Sequence, residues 1–380
     1  MRTINGVSFS DVHKGHNRVP GESIRNAIHK ALFPKLTPDT DILFIGGDFF
    51  DKLLDLSSLE GYNAVLVISE LKAICEEYQI LLRVLRGTFS HDRHQNNMFI
   101  ANSDPKYIGN DLMVRVFDSI SIEHIEHLDI TVMYIPDDLP YDNAMPVIKR
   151  KLDEQHLTKV DFICNHGYFK HLIPKGLPHE PKNTFCANEM SELVKGAIWN
   201  GHIHQSSVYA KCITHGSFDR LAHNEEEAKG FFTFAYTPES GKLTYEFVEN
   251  EYAALFATLD MTEYSNVNEA IGIFTAWVKS LVDRNKSLTI VRTRVISNDE
   301  TIRHAAKQFI ADNYQGKVEF KAMAHKHANE VKPIEHVSLA DLPLVTEDGL
   351  HHVIASFAAA HKIADYTPDQ VKEMMNRYIP

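Results

Sequence analysis

Cysteine is scarce in this sequence, which has four in 380 residues, and no two of them form a C-x-x-C pair. Such scattered positions argue against a disulfide framework or a cysteine-based metal site. Reduced thiols in a cytoplasmic protein are the simple interpretation. The four are Cys75, Cys164, Cys186 and Cys212.

Long apolar runs and an excess of basic charge are also missing. No run approaches the roughly 18–20 residues of a spanning helix, so no membrane association is expected. The N-terminus is polar within its first residues, so no signal peptide is expected either. The net charge of −12 argues against a simple basic DNA-binding protein. Residues 279–326 are locally basic, with ten basic and five acidic side chains, and could face a phosphate backbone or form a solvated helix face.

What the sequence does contain is a series of polar motifs, each placed where an apolar run stops. Any one of them alone would be weak, because short Asp and His motifs occur by chance in many proteins. Their number and order indicate a metal site. The five motifs are Ser10-Asp11-Val12-His13, Gly46-Gly47-Asp48-Phe49-Phe50-Asp51, Gly87-Thr88-Phe89-Ser90-His91-Asp92, Cys164-Asn165-His166-Gly167 and Asn200-Gly201-His202-Ile203-His204.

The residue types in these motifs suit divalent metal ions such as manganese. Side chains two apart in a strand point to the same side, so Asp11 and His13 can face one ion, as can His202 and His204. Two ions about 3.5–4 Å apart need a shared carboxylate. Asp48, which follows the apolar run at 42–45, is the natural bridge, whereas Asp51 could simply cap a following helix.

The motif order resembles that of the calcineurin-like metallophosphoesterases and, within them, the SbcD-like DNA repair and recombination nucleases. A second block strengthens this resemblance: residues 216–231 are similar to the Gly-Ser-x-x-Arg…Glu-Glu…Lys-Gly-Phe block of those nucleases. The resemblance covers roughly residues 1–250 well and the remainder loosely. It implies two ligand sets: Asp11, His13, Asp48 and His204 for one ion, and Asp48, the third-motif position, His166 and His202 for the other.

The third motif departs from the family pattern. The family has Gly-Asn-His-Asp, whereas this chain has Ser90 directly before His91 and Asp92. The resemblance implies that Ser90 supplies a neutral oxygen ligand in place of the Asn, directly or through water. It also implies that His91 protonates the leaving oxygen or steadies the phosphate, and that Asp92 orients His91.

The fold expected from the resemblance is α/β, a four-layer metallophosphoesterase sandwich of two mixed β-sheets flanked by helices, with a small α/β cap domain and C-terminal helices. The expected domains are 1–250 for the nuclease, 251–330 for a cap that guides DNA, and 331–380 for the C-terminal helical segment. Apolar runs predict strands at 41–46, 79–85, 129–135, 160–164 and 196–199, and a hairpin at 230–236 and 242–248. Further on, the pattern predicts helices at 266–282 and 300–313 and strands at 288–296 and 318–321.

The resulting functional hypothesis is a DNA nuclease that hydrolyses phosphodiester bonds with two divalent metal ions. Manganese is the expected ion, with magnesium, zinc or iron as alternatives. The expected partners are DNA, an SbcC-type coiled-coil ATPase and a second copy of the chain. The C-terminal amphipathic helices either dock on that ATPase or fold back on their own domain. The expected compartment is the cytoplasm, of a host cell if the chain is encoded by a phage.

Two rival functions remain open from the sequence. A small-substrate phosphoesterase, acting on nucleotides or phosphoproteins, would share every metal ligand. A non-catalytic subunit that binds DNA or the ATPase would follow if the change at Ser90 had cost the second metal. The intact pair of His91 and Asp92 argues against the second rival.

Overall fold

The structure is a computed structural model, and it describes residues 2–101, 104–137, 139–173 and 181–324. The predicted segment 331–380, with its two amphipathic helices, lies outside the described residues. Residues described through 324 belong to one compact unit. Within the described part of the chain, none of the helices has the length and apolar character needed to cross a bilayer.

The described strands follow one another along the chain in mixed α/β order. They are β1 (Ile4–Phe9), β2 (Ile42–Ile45), β3 (Leu81–Leu85), β4 (Tyr107–Ile108), β5 (Asp111–Leu112), β6 (Val114–Phe117), β7 (Ser121–Ile125), β8 (Ile130–Ile135), β9 (Val160–His166), β10 (Tyr168–Phe169), β11 (Thr184–Phe185), β12 (Val194–Gly201), β13 (Ser207–Tyr209), β14 (Cys212–Thr214), β15 (Gly230–Thr237), β16 (Lys242–Glu249), β17 (Phe256–Asp260), β18 (Val291–Ile296) and β19 (Val318–Met323).

The helices lie between these strands and are mostly amphipathic. They are α1 (Gly21–Ala27), α2 (Leu59–Tyr78), α3 (Phe89–Asp92), α4 (Tyr141–Glu154), α5 (Ala187–Ser191), α6 (Val267–Arg284) and α7 (Glu300–Asn313). A π-helical turn, Ile28–Leu32, continues α1, and short 3-10 turns occur at Phe33–Lys35, Gln95–Phe99 and Lys170–Leu172. Helices α2, α6 and α7 begin at polar caps, because the side chains of Ser58, Asn266 and Asp299 accept hydrogen bonds from the first free N–H groups.

Two six-stranded mixed sheets form the first part of the molecule. The first has the order β16-β15-β1-β2-β3-β6, and the second has the order β13-β14-β12-β9-β8-β7. Strands β1, β2, β3 and β6 are parallel, while β15 and β16 form an antiparallel hairpin at one edge. In the second sheet β8, β9, β12 and β14 are parallel, and the edge strands β7 and β13 are antiparallel to their neighbours. The predicted α/β class with mixed sheets is therefore confirmed.

The apolar core of this part is divided into three clusters. In one, side chains of α1 and α2, such as Ile24 and Leu71, pack on the first sheet. In another, Phe44 of the first sheet packs with Phe162 and Trp199 of the second. In the third, α4 and α5 pack on the second sheet. Both sheets are thus buried on both faces, which explains why their central strands are continuous apolar runs.

A third sheet, of the order β17-β18-β19, is parallel and carries α6 and α7. It has its own apolar core, which includes Phe274, Val295 and Ile310. The helices and strands predicted between 266 and 321 appear here with ends shifted by a few residues. The domain boundaries predicted at 250 and 330 stay predictions.

Candidate metal centre

The five sequence motifs all lie at the C-terminal ends of strands or directly after them. The loops after β1, β2 and β3 come from the first sheet, and those at the ends of β9 and β12 come from the second. In parallel sheets these ends share one edge, so the loops of the two sheets meet. The structure thereby brings together side chains that are far apart in the sequence. His13 and His204, for example, are 191 residues apart and their Nε2 atoms are 3.0 Å apart.

The first donor group consists of Asp11, His13 and His204. One ligand atom from each of the three lies within 4.8 Å of the other two. Asp11 is fully buried, and its Oδ1 is 3.8 Å from His204 Nε2. The Asp11 carboxylate also accepts hydrogen bonds from the hydroxyl of Ser10 and from the backbone N–H of His202. Its direction is therefore fixed before any ion binds.

The second donor group consists of Asp48, His166 and His202. One ligand atom from each of these three also lies within 4.8 Å of the other two. Asp48 Oδ2 is 3.2 Å from His166 Nε2, and both side chains are nearly inaccessible to solvent. Asp48 also accepts hydrogen bonds from the N–H and the hydroxyl of Thr88, at 2.6 and 3.2 Å. The described groups around each cluster can therefore hold a divalent metal ion with oxygen and imidazole ligands.

Three of the histidines have one ring nitrogen held by an outer acceptor. His13 Nδ1 is 3.2 Å from the Asp51 carboxylate, His204 Nδ1 is 2.9 Å from Glu225, and His166 Nδ1 is 2.8 Å from the carbonyl of Gly46. When the ring is neutral, an outer acceptor of this kind places the proton on Nδ1 and leaves the lone pair on Nε2. In all three cases Nε2 is the atom that faces the donor group, which is the tautomer that metal binding requires.

Charge in the second donor group is set by burial and by one ion pair. Burial alone would raise the pKa of Asp48, but the adjacent His166 outweighs it and holds that pKa well below its usual value. Burial alone would lower the pKa of His166, yet the Asp48 carboxylate keeps it well above its usual value. Burial, with the nearby His166, lowers the pKa of His202 to about 3. Without a metal ion the group therefore holds a carboxylate, an imidazolium and a neutral imidazole.

The backbone at several of these ligands is left-handed, although none is glycine. Asp11, His13, Asp48 and His202 have φ values of 53°, 51°, 49° and 78°. Such a conformation is unfavourable for residues other than glycine, and at functional sites surrounding contacts maintain it. Here the first two motif loops hold each other: Asp11 N–H donates to the Gly47 carbonyl and His13 N–H donates to the Asp48 carbonyl, at 3.0 and 3.1 Å.

Glycines make the close approach of these loops possible. Gly47 has a φ of 96°, and a Cβ placed on it would collide with the His166 ring and with the backbone of Gly87. A Cβ on Gly87 would in turn collide with the backbone N of Asp48. The glycines of the second and third motifs thus lie where only a hydrogen atom fits.

His91 lies at the open side of the first donor group and is partly exposed. Its Nδ1 is 2.6 Å from the backbone carbonyl of Asp51, and its ring centroid is 5.1 Å from that of His13. The carbonyl accepts a hydrogen bond from Nδ1–H and leaves Nε2 available. His91, His13 and Asp51 also form a third set of possible ligands.

Asp92 does not contact His91 in the way the resemblance implied. Its carboxylate is fully buried and accepts hydrogen bonds from the backbone N–H groups of Asp48, Phe50 and Gly87, at 3.0, 3.0 and 2.7 Å. Burial and the nearby Asp48 raise its pKa to about 6. Asp92 therefore shapes the loop that carries Asp48, and the orientation of His91 comes from the carbonyl of Asp51.

Ser90 is not brought into either donor group. It lies on the exposed side of the single-turn helix α3. Thr88, two residues earlier, has its hydroxyl 3.3 Å from His202 Nδ1 and 3.5 Å from His166 Nε2. The hydroxyl that lies beside the second donor group is therefore that of Thr88 and not that of Ser90, because α3 begins after Thr88 and Ser90 is exposed.

The sequence did not predict the contacts that three residues make with the donor groups. These residues are Thr88, Asp51 and Glu225. Thr88 directly follows Gly87, as the Asn directly follows Gly in the family pattern, and this adjacency was the available signal. Asp51 lies three residues after Asp48, in the same motif. Glu225 lies in the Glu-Glu part of the 216–231 block, but its distance from His204 along the chain gave no indication of contact.

No protein-family model and no curated protein matches this chain. Solved structures give weak likenesses. GAP50, described as the anchor in the inner membrane complex of Plasmodium, is 11% identical, with a TM-score of 0.34 over 66% of this chain and 85% of that one. Wild-type Vps29 of Entamoeba histolytica, complexed with zinc, is 13% identical, with a TM-score of 0.25 over 65% of this chain and 99% of that one. At TM-scores this low, neither similarity is evidence for a fold or a function.

Proposed function

We propose that this chain is a two-metal phosphodiesterase of the metallophosphoesterase type that cleaves DNA. The observation that carries the proposal is the pair of adjacent donor groups, each with a buried Asp and two histidines, beside the available Nε2 of His91. The three core clusters, helix on sheet, sheet on sheet and sheet on helix, support the four-layer sandwich that such enzymes have.

In this proposal Asp11, His13 and His204 hold one ion, His166 and His202 hold the other, and Asp48 bridges them. Thr88 supplies a neutral oxygen to the second ion. Manganese is the proposed ion because the set mixes carboxylate and imidazole ligands without a thiolate. Two bound ions supply Lewis-acid stabilisation of phosphate oxygens and lower the pKa of water.

His91 is the proposed catalytic residue. Its Nδ1 faces the Asp51 carbonyl, so the ring is held in place and Nε2 is the nitrogen that remains for the substrate. From that position the ring can donate a hydrogen bond to a phosphate oxygen or a proton to the leaving oxygen. Asp92 supports this arrangement only indirectly, by fixing the backbone of the Asp48 loop.

Exposed aromatic rings beside the second donor group support a nucleic acid as the substrate. The side chain of Phe89 is 51% exposed and follows Thr88 directly. The ring of Tyr168 lies edge-on to His202, with centroids 4.3 Å apart, and is partly exposed. Aromatic rings next to a backbone-binding site are suited to stacking on bases.

One observation favours the rival small-substrate phosphoesterase. The basic stretch at 279–326 is largely occupied by contacts within the protein. Arg292 donates to Glu319 and to the carbonyl of Arg18, Arg294 donates to Thr258, and Arg303 donates to the carbonyl of Ser297. These guanidinium groups therefore already have hydrogen-bond partners within the protein, and fewer of their N–H groups are left for a phosphate.

The decisive experiment measures manganese-dependent cleavage of end-labelled duplex and single-stranded DNA, alongside hydrolysis of a chromogenic phosphodiester. We expect His91→Ala to abolish both activities while leaving Mn²⁺ binding intact, because His91 acts on the substrate. His124→Ala, which removes an exposed imidazole on β7, is the matched control and should behave like the wild type.

A second variant separates the two substrate classes. Phe89→Ala should reduce DNA cleavage and leave the chromogenic activity unchanged, with Tyr107→Ala as the control at another exposed ring. If the protein hydrolyses the small diester but does not cleave DNA, even with an SbcC-type ATPase present, the nuclease hypothesis is wrong. The small-substrate phosphoesterase would then be the better hypothesis. Wild-type rates for His91→Ala would overturn its assigned role.

A further inference from the structure

The segment 216–229, called here the linking segment, contacts the first donor group at several points. Glu225 Oε1 is 2.9 Å from His204 Nδ1. Lys229, which is almost fully buried, donates from Nζ to the backbone carbonyl of His204 at 2.7 Å. Both the ring and the main chain of His204 are therefore held by the linking segment.

Glu225 is itself fixed in place. Its Oε2 accepts hydrogen bonds from the N–H of Leu221 at 3.2 Å and from the hydroxyl of Ser217 at 3.4 Å, and it lies 3.6 Å from Lys229 Nζ. The side chain is 12% exposed. A carboxylate with this many contacts cannot follow the His204 ring if the ring moves, so it determines where the ring lies.

The next residue, Glu226, contacts the third sheet instead. Its carboxylate accepts hydrogen bonds from the N–H of Thr258 at 2.8 Å and from the Thr258 hydroxyl. Arg294 of β18 lies 3.7 Å from the same carboxylate and donates to the carbonyl of His223 at 3.0 Å. Two adjacent acidic side chains thus bind two different parts of the molecule, the donor group and the third sheet.

We propose that Glu225 is a positioning residue for His204, and that Glu226 links this position to the third sheet. A displacement of β17 and β18 then moves Glu226 and its neighbour, and with them the metal ligand. The third sheet thereby controls the metal affinity of the first donor group. This inference rests on the proposed metal-binding function.

The test is titration calorimetry of Mn²⁺ into the full chain, combined with thermal unfolding of each variant. Glu225→Ala should weaken one manganese site by about tenfold to a hundredfold, which is the usual effect of losing an outer partner of a ligand histidine. Glu225→Gln keeps an acceptor for Nδ1–H and should recover most of the affinity. A role in folding alone would not distinguish Ala from Gln in this way.

Glu226→Ala tests the link to the third sheet, because Glu226 does not contact a metal ligand. It should weaken the same site by about threefold or more, within the usual range of coupling between neighbouring elements. Its control is Glu319→Ala, which removes a carboxylate that pairs with Arg292 of the same strand β18. That control should leave manganese affinity unchanged.

The outcomes separate the two proposals. A wild-type protein that binds no manganese overturns the proposed function and this inference together. A wild type that binds manganese, with Glu225→Ala binding equally well, overturns the positioning role. Equal losses in Glu226→Ala and Glu319→Ala overturn the specific link. If an Ala variant does not fold, the Gln variant at the same position replaces it in the test. Unchanged manganese affinity in that Gln variant, together with a loss of manganese affinity in Lys229→Met, then supports the proposal.

Discussion

The two-sheet part of the molecule and the third sheet differ in where they place polar groups. In the first, Asp11, Asp48, Asp92 and His166 are buried at the ends of strands. In residues 256–323, all of which are described, the buried polar side chains are the uncharged Thr289, Thr293 and Ser297. Burying a charge is costly unless other groups compensate. The two-sheet part therefore bears the cost of buried charge, and the candidate metal centre lies in this part.

Backbone conformation shows the same contrast. The left-handed non-glycine residues of the described chain lie at or before Ala210, and four of them are candidate metal ligands. In the third sheet and its helices the left-handed position is a glycine, Gly316. Strain of this kind persists where surrounding contacts impose it. A regular scaffold and a strained site are thus separate parts of one compact unit.

The largest expected effect comes from removing the bridging charge. Asp48→Asn should lower DNA cleavage by more than about a hundredfold, because it removes the negative charge of a ligand itself and not merely an outer partner. It should also weaken manganese binding in calorimetry. Arg303→Ala in the third-sheet part is the comparison and should stay close to the wild type. Equal losses of DNA cleavage in both variants would show that the two regions do not differ in function.

The pH dependence of metal binding sharpens the contrast further. Asp48 keeps the pKa of His166 above its usual value, so the ring is protonated at neutral pH in the metal-free protein. Metal binding needs a neutral ring, so affinity should rise by about tenfold per pH unit below that pKa, with release of one proton. Calorimetry in two buffers of different ionisation enthalpy measures this proton.

The same shift predicts the stability of the metal-free protein. A raised folded-state pKa stabilises the fold below the unfolded-state pKa of about 6.5, and this contribution is lost as the pH rises through the folded-state pKa. Denaturant titrations without metal should therefore show falling stability from neutral to alkaline pH. Metal affinity without any pH dependence would contradict the assigned ion pair of His166 and Asp48.

A smaller effect distinguishes the two hydroxyls of the third motif. Thr88→Val should weaken the second manganese site by about fivefold to tenfold, since a hydrogen-bonding group of this kind contributes about 1–1.5 kcal/mol. Ser90→Ala, at the exposed position, should change affinity by less than about twofold. The reverse ranking would restore Ser90 as the ligand.

The smallest effect is expected in the third-sheet part. Arg284 and Lys307 are exposed, and replacing either by Ala should change DNA cleavage by less than about twofold at physiological salt. Cleavage assays at low and physiological salt measure this. A tenfold loss of DNA cleavage would show that this region binds DNA. The two parts could then no longer be described as a site and a scaffold.

Much of the arrangement could be predicted from the sequence because it depends on local rules. Apolar runs such as 42–45 form buried strands, and polar residues directly after them, such as Asp48, gather at one edge. The roles of Thr88 and Ser90 could not be separated, because they depend on where a single helical turn begins. The contact between Glu225 and His204 depends on how a long segment returns to the site, which no local pattern specifies.

The donor groups also have a consequence for how the protein is made. The first group joins Asp11 and His13 of the first sheet to His204 at the end of the second, 191 residues beyond His13. A ribosome must therefore extend the chain beyond His204 before the first ligand set is complete. Nascent chains that end before this point carry only fragments of the two donor groups, so metal can be loaded there only after the motifs of both sheets have been made.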